Sequence, residues 1–237
     1  MKISKGVRAA LVAAGMAGAV SASADVGGLA VGAKVGTTGF GVEAVTALTP
    51  MFNVRGVVNG FNYNYDTTED GIDYDAKLKL QSFGALVDFH PFKGSFRLSG
   101  GVMSNGNKAD LKATCPGNCD VGDVTISGGD ARLTGKVDFK SAAPYAGLGF
   151  GNAFGGTGLY SIFDVGVLFQ GKPKADLAAA GVATVTDANG TSRSNVNLAT
   201  DPDVQTAIAK EEASLQDDLD SYKLYPVINL GIGYRFF

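Results

Sequence analysis

From Ser141 to Phe163 the chain runs 23 residues without a charge. That length would suit a membrane-spanning helix, which needs about 20 apolar residues. The composition of the run forbids one. It contains Pro144 and six glycines, at 147, 149, 151, 155, 156 and 158. An interior glycine costs a helix about 1 kcal/mol and a proline about 3. A hairpin fits instead, with one strand over Tyr145 to Phe150 and another from Leu159 onward. No other segment downstream is long enough to span as a helix. If the chain lives in a membrane, it must therefore do so as a closed barrel, because only helices and barrels satisfy every backbone group in lipid. Glycine is abundant throughout, 34 of 237 residues, without a collagen period. This suits many strands whose backbones approach closely or bend.

The first 24 residues predict a secretory signal peptide. Lys2, Lys5 and Arg8 form a positive start, Ala9 to Val20 is apolar, and Ser21-Ala22-Ser23-Ala24 places small residues before Asp25. The uncharged stretch from Ala9 to Ala24 is shorter than a spanning helix. Residues 25–237 then form the mature domain. Removing three basic residues takes the net charge from −3 to −6, which gives no reason to expect nucleic acid as a partner.

The C-terminal segment alternates cleanly. Between Leu224 and Phe236, even positions read Leu, Pro, Ile, Leu, Ile, Tyr, Phe, and the odd positions include Asn229, Gly231, Gly233 and Arg235. Reading back along the chain gives eight strand-like stretches, at 28–36, 39–48, 51–65, 72–90, 95–110, 132–152, 158–173 and 222–237. Their connections sort by parity. Those after strands 2, 4 and 6 are short: 49–50, 91–94 and 153–157. Those after strands 3, 5 and 7 are longer: 66–71, 111–131 and 174–221; only the first connection on that side, 37–38, is short. Short turns on one side and long loops on the other are the pattern of an outer-membrane barrel. The sequence thus predicts an all-β, eight-stranded antiparallel transmembrane barrel with one helix in its last extracellular loop. In 51–65, 72–90 and 132–152 the apolar residues change phase, near Gly60, Ser82 and Pro144, which reads either as β-bulges there or as a misassigned register.

An eight-stranded barrel is just wide enough for side chains to fill, so the inward residues carry the functional question. By this registry Glu43, Arg55, Asp88, Arg97, Asp164 and Arg235 form a charged layer in the periplasmic half. Opposite signs at one level should pair, because an unpaired buried charge costs several kcal/mol. The layer reads as a rigid salt-bridge network or as a gate whose pairs exchange. Lys34, Lys77, Lys79, Gln81, Lys136, Asp138 and Lys140 fall nearer the outer mouth. This mainly basic set would attract anionic solutes or meet lipopolysaccharide phosphates.

The outer loops add three features. Asp66, Glu69, Asp70, Asp73 and Asp75 make an acidic segment that departs from an EF-hand at Thr68 and Lys77, so it reads as a solvated loop, with no metal site assigned. Cys115 and Cys119, the chain's two cysteines, read as one disulfide across a Pro-Gly-Asn turn. Over about 202–221, Asp201 suits the N-cap and Pro202 the first helical position. Val204, Ile208, Leu215, Leu219 and Tyr222 share one face, which would cover the barrel rim or mouth, or bind a partner. The single histidine, His90, lies at a periplasmic turn. No nucleophile–base set can be assembled at the outer face, so the chain reads as a non-enzyme without cofactors.

Several blocks carry a resemblance. Ala143 to Asn152, Phe163 to Lys174, Gly60 to Tyr65 with Leu78 to Gln81, and Glu211 to Leu219 before Tyr225-Pro226 resemble the small outer-membrane barrels of Gram-negative bacteria. In particular they are similar to the CarO-type ornithine-porin group and OmpW-like barrels. Tyr234-Arg235-Phe236 resembles the C-terminal signature that barrel-assembly machinery reads, with Phe237 as one extra residue. The resemblance implies a monomeric barrel in the outer membrane, in contact with lipid and lipopolysaccharide, and slow passage of small amino-acid-like solutes. Two functions stay open: a narrow channel for small polar solutes, and a closed structural or surface-interaction barrel.

Overall fold

A computed structural model describes residues 27–69, 72–115, 117–155 and 158–237. The signal peptide expected at 1–24 lies outside the described residues. In chain order the elements begin with β1 (Leu29–Gly36), β2 (Gly39–Thr49), β3 (Phe52–Glu69), β4 (Ile72–Phe89) and β5 (Phe96–Asn105). Next come β6 (Lys108–Thr114), β7 (Asn118–Val121), β8 (Val124–Ser127), β9 (Arg132–Asp138) and β10 (Ala142–Phe150). The rest are β11 (Leu159–Leu168), β12 (Lys174–Ala180), β13 (Val182–Thr186), β14 (Ser192–Asn197), α1 (Pro202–Leu219) and β15 (Tyr225–Arg235).

Antiparallel pairing runs β1-β2-β3-β4-β5-β10-β11-β15 and returns to β1, so eight strands close a barrel with no free edge. Connections of two residues join β1 to β2 and β2 to β3. The lipid side is built from alternate residues. Val42, Phe83, Val102, Leu148 and Ile232 are all more than half exposed. Rings cluster at the periplasmic rim: Phe52 stacks on Phe89 with centroids 4.9 Å apart, and Phe96 meets Phe150 at 5.6 Å. From the Phe52–Phe89 pair to the Gly60–Gln81 pair is eight residues. That is about 27 Å along the strand and about 21 Å along the normal at the usual tilt, close to the apolar band of such barrels.

The bulges expected at Gly60, Ser82 and Pro144 do not exist. Pairing of β3 with β4 is unbroken from Phe52–Phe89 to Glu69–Ile72. Likewise β5 and β6 keep one register against β4, and β9 and β10 keep one register against β6 and β5. The backbone alternation never slips; the environment does. Below the Gly60–Gln81 level the outward residues meet lipid and are apolar, as with Val58, Phe83 and Val87. Above it the outward residues meet water and are largely polar or charged, while the inward ones become apolar: Phe61, Leu78, Leu80 and Leu133. One true one-residue offset separates β11 from β12, whose pairings with β10 and β9 differ by one in register.

Above that level, β3, β4, β6, β9 and β12 form a curved extracellular sheet. Its inner face supports a second sheet, ordered β14-β13-β8-β7, and helix α1. The segments 66–71, 111–131 and 174–221 are therefore largely folded strand and helix rather than loop. Their strands of four to seven residues are too short for period-2 reading to reveal. Asp201 caps α1, accepting hydrogen bonds from the Asp203 and Val204 amides at 3.2 Å each. Val204, Ala207 and Ile208 are buried with Ile126, Val185 and Leu198 in one apolar core. The Cys115–Cys119 disulfide lies in the same core, 1% and 4% exposed. Tyr222, expected on the apolar face, is 62% exposed, because the helix ends at Leu219. The helix lies on β12 rather than over the mouth. Gln216 and Glu212 accept hydrogen bonds from the Ala175 and Leu177 amides and so cap that strand's open edge.

Candidate functional site

The barrel interior is layered. At the periplasmic end Ala30, Val45, Ala153, Tyr160 and Ile162 form an apolar layer. Above it sits the charged layer, and above that a second apolar layer of Val57, Leu86, Met103, Ala143, Tyr145, Leu168 and Val227. A polar layer follows, in which Asn59 donates to Ser82 at 3.0 Å and Thr38 donates to Asn229 at 2.9 Å.

Arg55 is the hub of the charged layer, with its side chain 1% exposed. Its Nη1 donates to Glu43 Oε2 at 3.1 Å and to Asp164 Oδ2 at 2.9 Å. Its Nη2 donates to Asp88 Oδ1 at 3.0 Å and to the Ser99 hydroxyl at 3.2 Å. Nε stands 3.0 Å from Asp88 Oδ2 but off the hydrogen-bond direction. Ser99 in turn donates to Asp88 at 2.5 Å. Arg97 reaches Asp164 at 2.7 Å and also donates to the Gly151 carbonyl. Lys34 donates to Glu43 at 3.3 Å, and the Tyr160 hydroxyl lies 3.4 Å from the same carboxylate. Three cations thus meet three anions, contributed by β1, β2, β3, β4, β5 and β11. Charges held between two apolar layers are viable only when fully paired in this way.

Glycine makes room for these side chains. A Cβ on Gly233 would stand 2.2 Å from Tyr160 Cζ, and the two next-nearest atoms also belong to that ring. Small cavities flank the Arg55 level, one on each side of it with space for about one water.

Of the six residues expected in the charged layer, Glu43, Arg55, Asp88, Arg97 and Asp164 meet. Arg235 does not. It pairs across from Ala30, at the periplasmic apolar level, and is half-buried with no ion pair among the described residues. Lys34, expected at the outer mouth, takes the third cationic place, because its long side chain reaches from one row above into the layer. The other mouth residues are corrected more sharply. Lys77, Lys79, Gln81, Lys136, Asp138 and Lys140 lie on the outward face, since the unbroken register keeps their parity with lipid-facing residues. Lys77 pairs with Asp75 at 3.2 Å, and the acidic segment is the tip of the β3–β4 ribbon. Sequence reasoning missed Ser99 and Tyr160; each follows the inward parity of its strand, two residues from Arg97 and Ile162.

His90 is a brace. Its Nε2 lies 3.1 Å from the Asn53 amide nitrogen and its Nδ1 3.0 Å from the Gly94 carbonyl. Burial holds its pKa below the ordinary histidine value, so it is neutral at pH 7. With both ring nitrogens engaged, it offers no free base. At the C-terminus Tyr234 and Phe236 face outward with centroids 5.4 Å apart. Phe237 is also exposed, and its carbonyl accepts from the Leu29 amide at 3.0 Å.

No family model matches the chain, and no curated protein matches it in sequence. Solved structures do match its fold. The crystal structure of CarO2 from Acinetobacter baumannii is 19% identical over 89% of this chain and 99% of that one, with a TM-score of 0.56. The crystal structure of CarO from the same organism is 20% identical over 88% and 98%, with a TM-score of 0.55. The fold expected from the CarO-type resemblance is the fold found.

Proposed function

We propose that this protein is a closed outer-membrane anchor that presents the folded extracellular head at the cell surface, rather than a channel. The supporting observation is the Arg55 hub, a net-neutral layer of six paired charges between two apolar layers. Moving an ion through it would require breaking a buried pair, at about 3–5 kcal/mol for each partner lost. The lipid-facing apolar band and the aromatic rim support the outer-membrane location. Tyr234 and Phe236 are the residues for the assembly machinery to read. The head carries its own apolar core, more than a barrel needs for closure. Solute flux in proteoliposomes tests the reading. Refolded protein should leave the swelling of vesicles in amino-acid solutions at the protein-free rate. Swelling faster than a heat-inactivated control would refute it and favour the narrow channel.

A further inference from the structure

The tip of the β13–β14 hairpin carries a pattern that the rest of the chain does not repeat. Asp187-Ala188-Asn189-Gly190-Thr191 joins the two strands. Asn189-Gly190-Thr191 has the Asn-x-Thr form of an N-glycan acceptor, with no proline at the middle position. No other asparagine of the chain has serine or threonine two residues on.

The hairpin holds its shape without using the groups that such a signal presents. The Gly190 amide donates to the Asp187 carbonyl at 2.9 Å, and the Asp187 amide donates to the Thr191 carbonyl at 3.0 Å. One oxygen of the Asp187 carboxylate accepts from the Asn189 amide at 2.9 Å and from the Thr191 amide at 2.8 Å. Gly190 supplies the left-handed residue that closes the turn, with φ +83°. Main chain and Asp187 therefore fix the tip. The Asn189 carboxamide and the Thr191 hydroxyl have no hydrogen-bond partner among the described residues, and 188–192 are exposed. Bulk is tolerated there, since a Cβ on the neighbouring Gly190 would meet nothing within 4 Å. Asn53, Asn59, Asn105 and Asn229, by contrast, are buried in the barrel.

The spacing has a chemical reason. A carboxamide nitrogen is a poor nucleophile, because its lone pair is shared with the carbonyl. A transferase must hold the acceptor while it activates that nitrogen, and the hydroxyl two residues on is the handle. We infer that Asn189 accepts an N-linked oligosaccharide from a polyprenyl-pyrophosphate-linked donor during export. Its Nδ2 attacks the anomeric carbon of the donor. The C–N bond forms as the bond from that carbon to the pyrophosphate oxygen breaks. The electron pair leaves with the polyprenyl pyrophosphate, and Nδ2 gives up one proton. The inference rests on the proposed anchor only in placing the hairpin on the extracellular head.

The test exports the full chain in a Gram-negative host that carries a bacterial oligosaccharyltransferase and its lipid-linked donor. Protein from the outer-membrane fraction is cut with trypsin. Cleavage after Lys174 and Arg193 releases 175–193, in which Asn189 is the one asparagine. Mass spectrometry of wild type should find that peptide carrying the mass of the donor glycan. N189Q and T191V should lose the modification completely. T191S should retain it, which separates the hydroxyl from the shape of the turn. All three variants should keep the heat-dependent gel shift of the folded barrel, because neither side chain is packed. An unmodified 175–193 in wild type, from cells in which a known acceptor protein is glycosylated, would overturn the inference. So would equal modification of T191V and wild type. A glycan on 175–193 in a protein that also speeds vesicle swelling would refute the anchor and leave this inference standing.

Discussion

Replacing Arg55 by methionine should be costly in a way the geometry specifies. Three carboxylates lose a partner, but not equally. Glu43 keeps Lys34 at 3.3 Å and Tyr160 at 3.4 Å. Asp164 keeps Arg97 at 2.7 Å. Asp88 keeps only the Ser99 hydroxyl, at 2.5 Å. One buried charge is therefore left uncompensated, not three. The cost expected is about 3–5 kcal/mol rather than a multiple of it. Adding Asp88→Asn should recover at least about half, because the orphaned charge is then gone. Asp88→Asn alone should destabilise by leaving the cation in excess. The chain has no tryptophan, so urea unfolding in vesicles is best followed by circular dichroism and by the gel shift of the folded barrel on heating. A loss below about 1 kcal/mol for Arg55→Met, or a double variant worse than either single one, would refute the hub.

Gly233→Ala should destabilise the barrel by about 1–3 kcal/mol, but should add little to the loss in a Tyr160→Ala background, where the ring it would strike is gone, as urea midpoints would record. Acidification should loosen the head: hydrogen bonds from Arg193 hold the Asp201 carboxyl below the usual range. Its contribution is present above the unfolded value of about 3.9 and is lost as pH falls through the lower folded value, which protease resistance of α1 would report. Asp201→Ala should cost the helix about 1 kcal/mol at neutral pH and flatten that acid response. Replacing Cys115 and Cys119 by serine should remove about 2 kcal/mol of loop-closure stabilisation from the head, read as proteolysis within 111–131, with the heated gel shift of the barrel unchanged.

Much of the architecture is readable without coordinates, for a physical reason. A strand must show alternate residues to two different environments, and the connections must alternate between the two sides of a membrane. Both leave marks: the alternation in 224–236 and the parity of connection lengths. Inward parity likewise picked out Glu43, Arg55, Asp88, Arg97 and Asp164. Height within the lumen was not legible. Arg235 falls below the charged layer and Lys34 reaches down into it, because the stagger between strands fixes the level of each residue, and no single strand records that stagger. The apparent phase changes at Gly60 and Ser82 misled for a different reason. Apolar residues mark the lipid side only inside the membrane, and beyond it those of β3 and β4 stand on the face opposite the charged one. The same alternation with inverted chemistry mimics a bulge, and it placed Lys77 and Lys79 in the lumen when they face outward.

The proposed anchor depends on β3 and β4 crossing the membrane boundary without a phase change. Spin labels placed singly from position 76 to 87, in protein reconstituted into vesicles, test this directly. Their collision rates with oxygen, which partitions into lipid, and with a water-soluble nickel chelate are compared. Labels at 83, 85 and 87 should favour oxygen, those at 77 and 79 should favour the chelate, and the crossover should fall at 81. Labels at 78 and 80 that favoured oxygen would show that the strand changes faces, and would contradict the account.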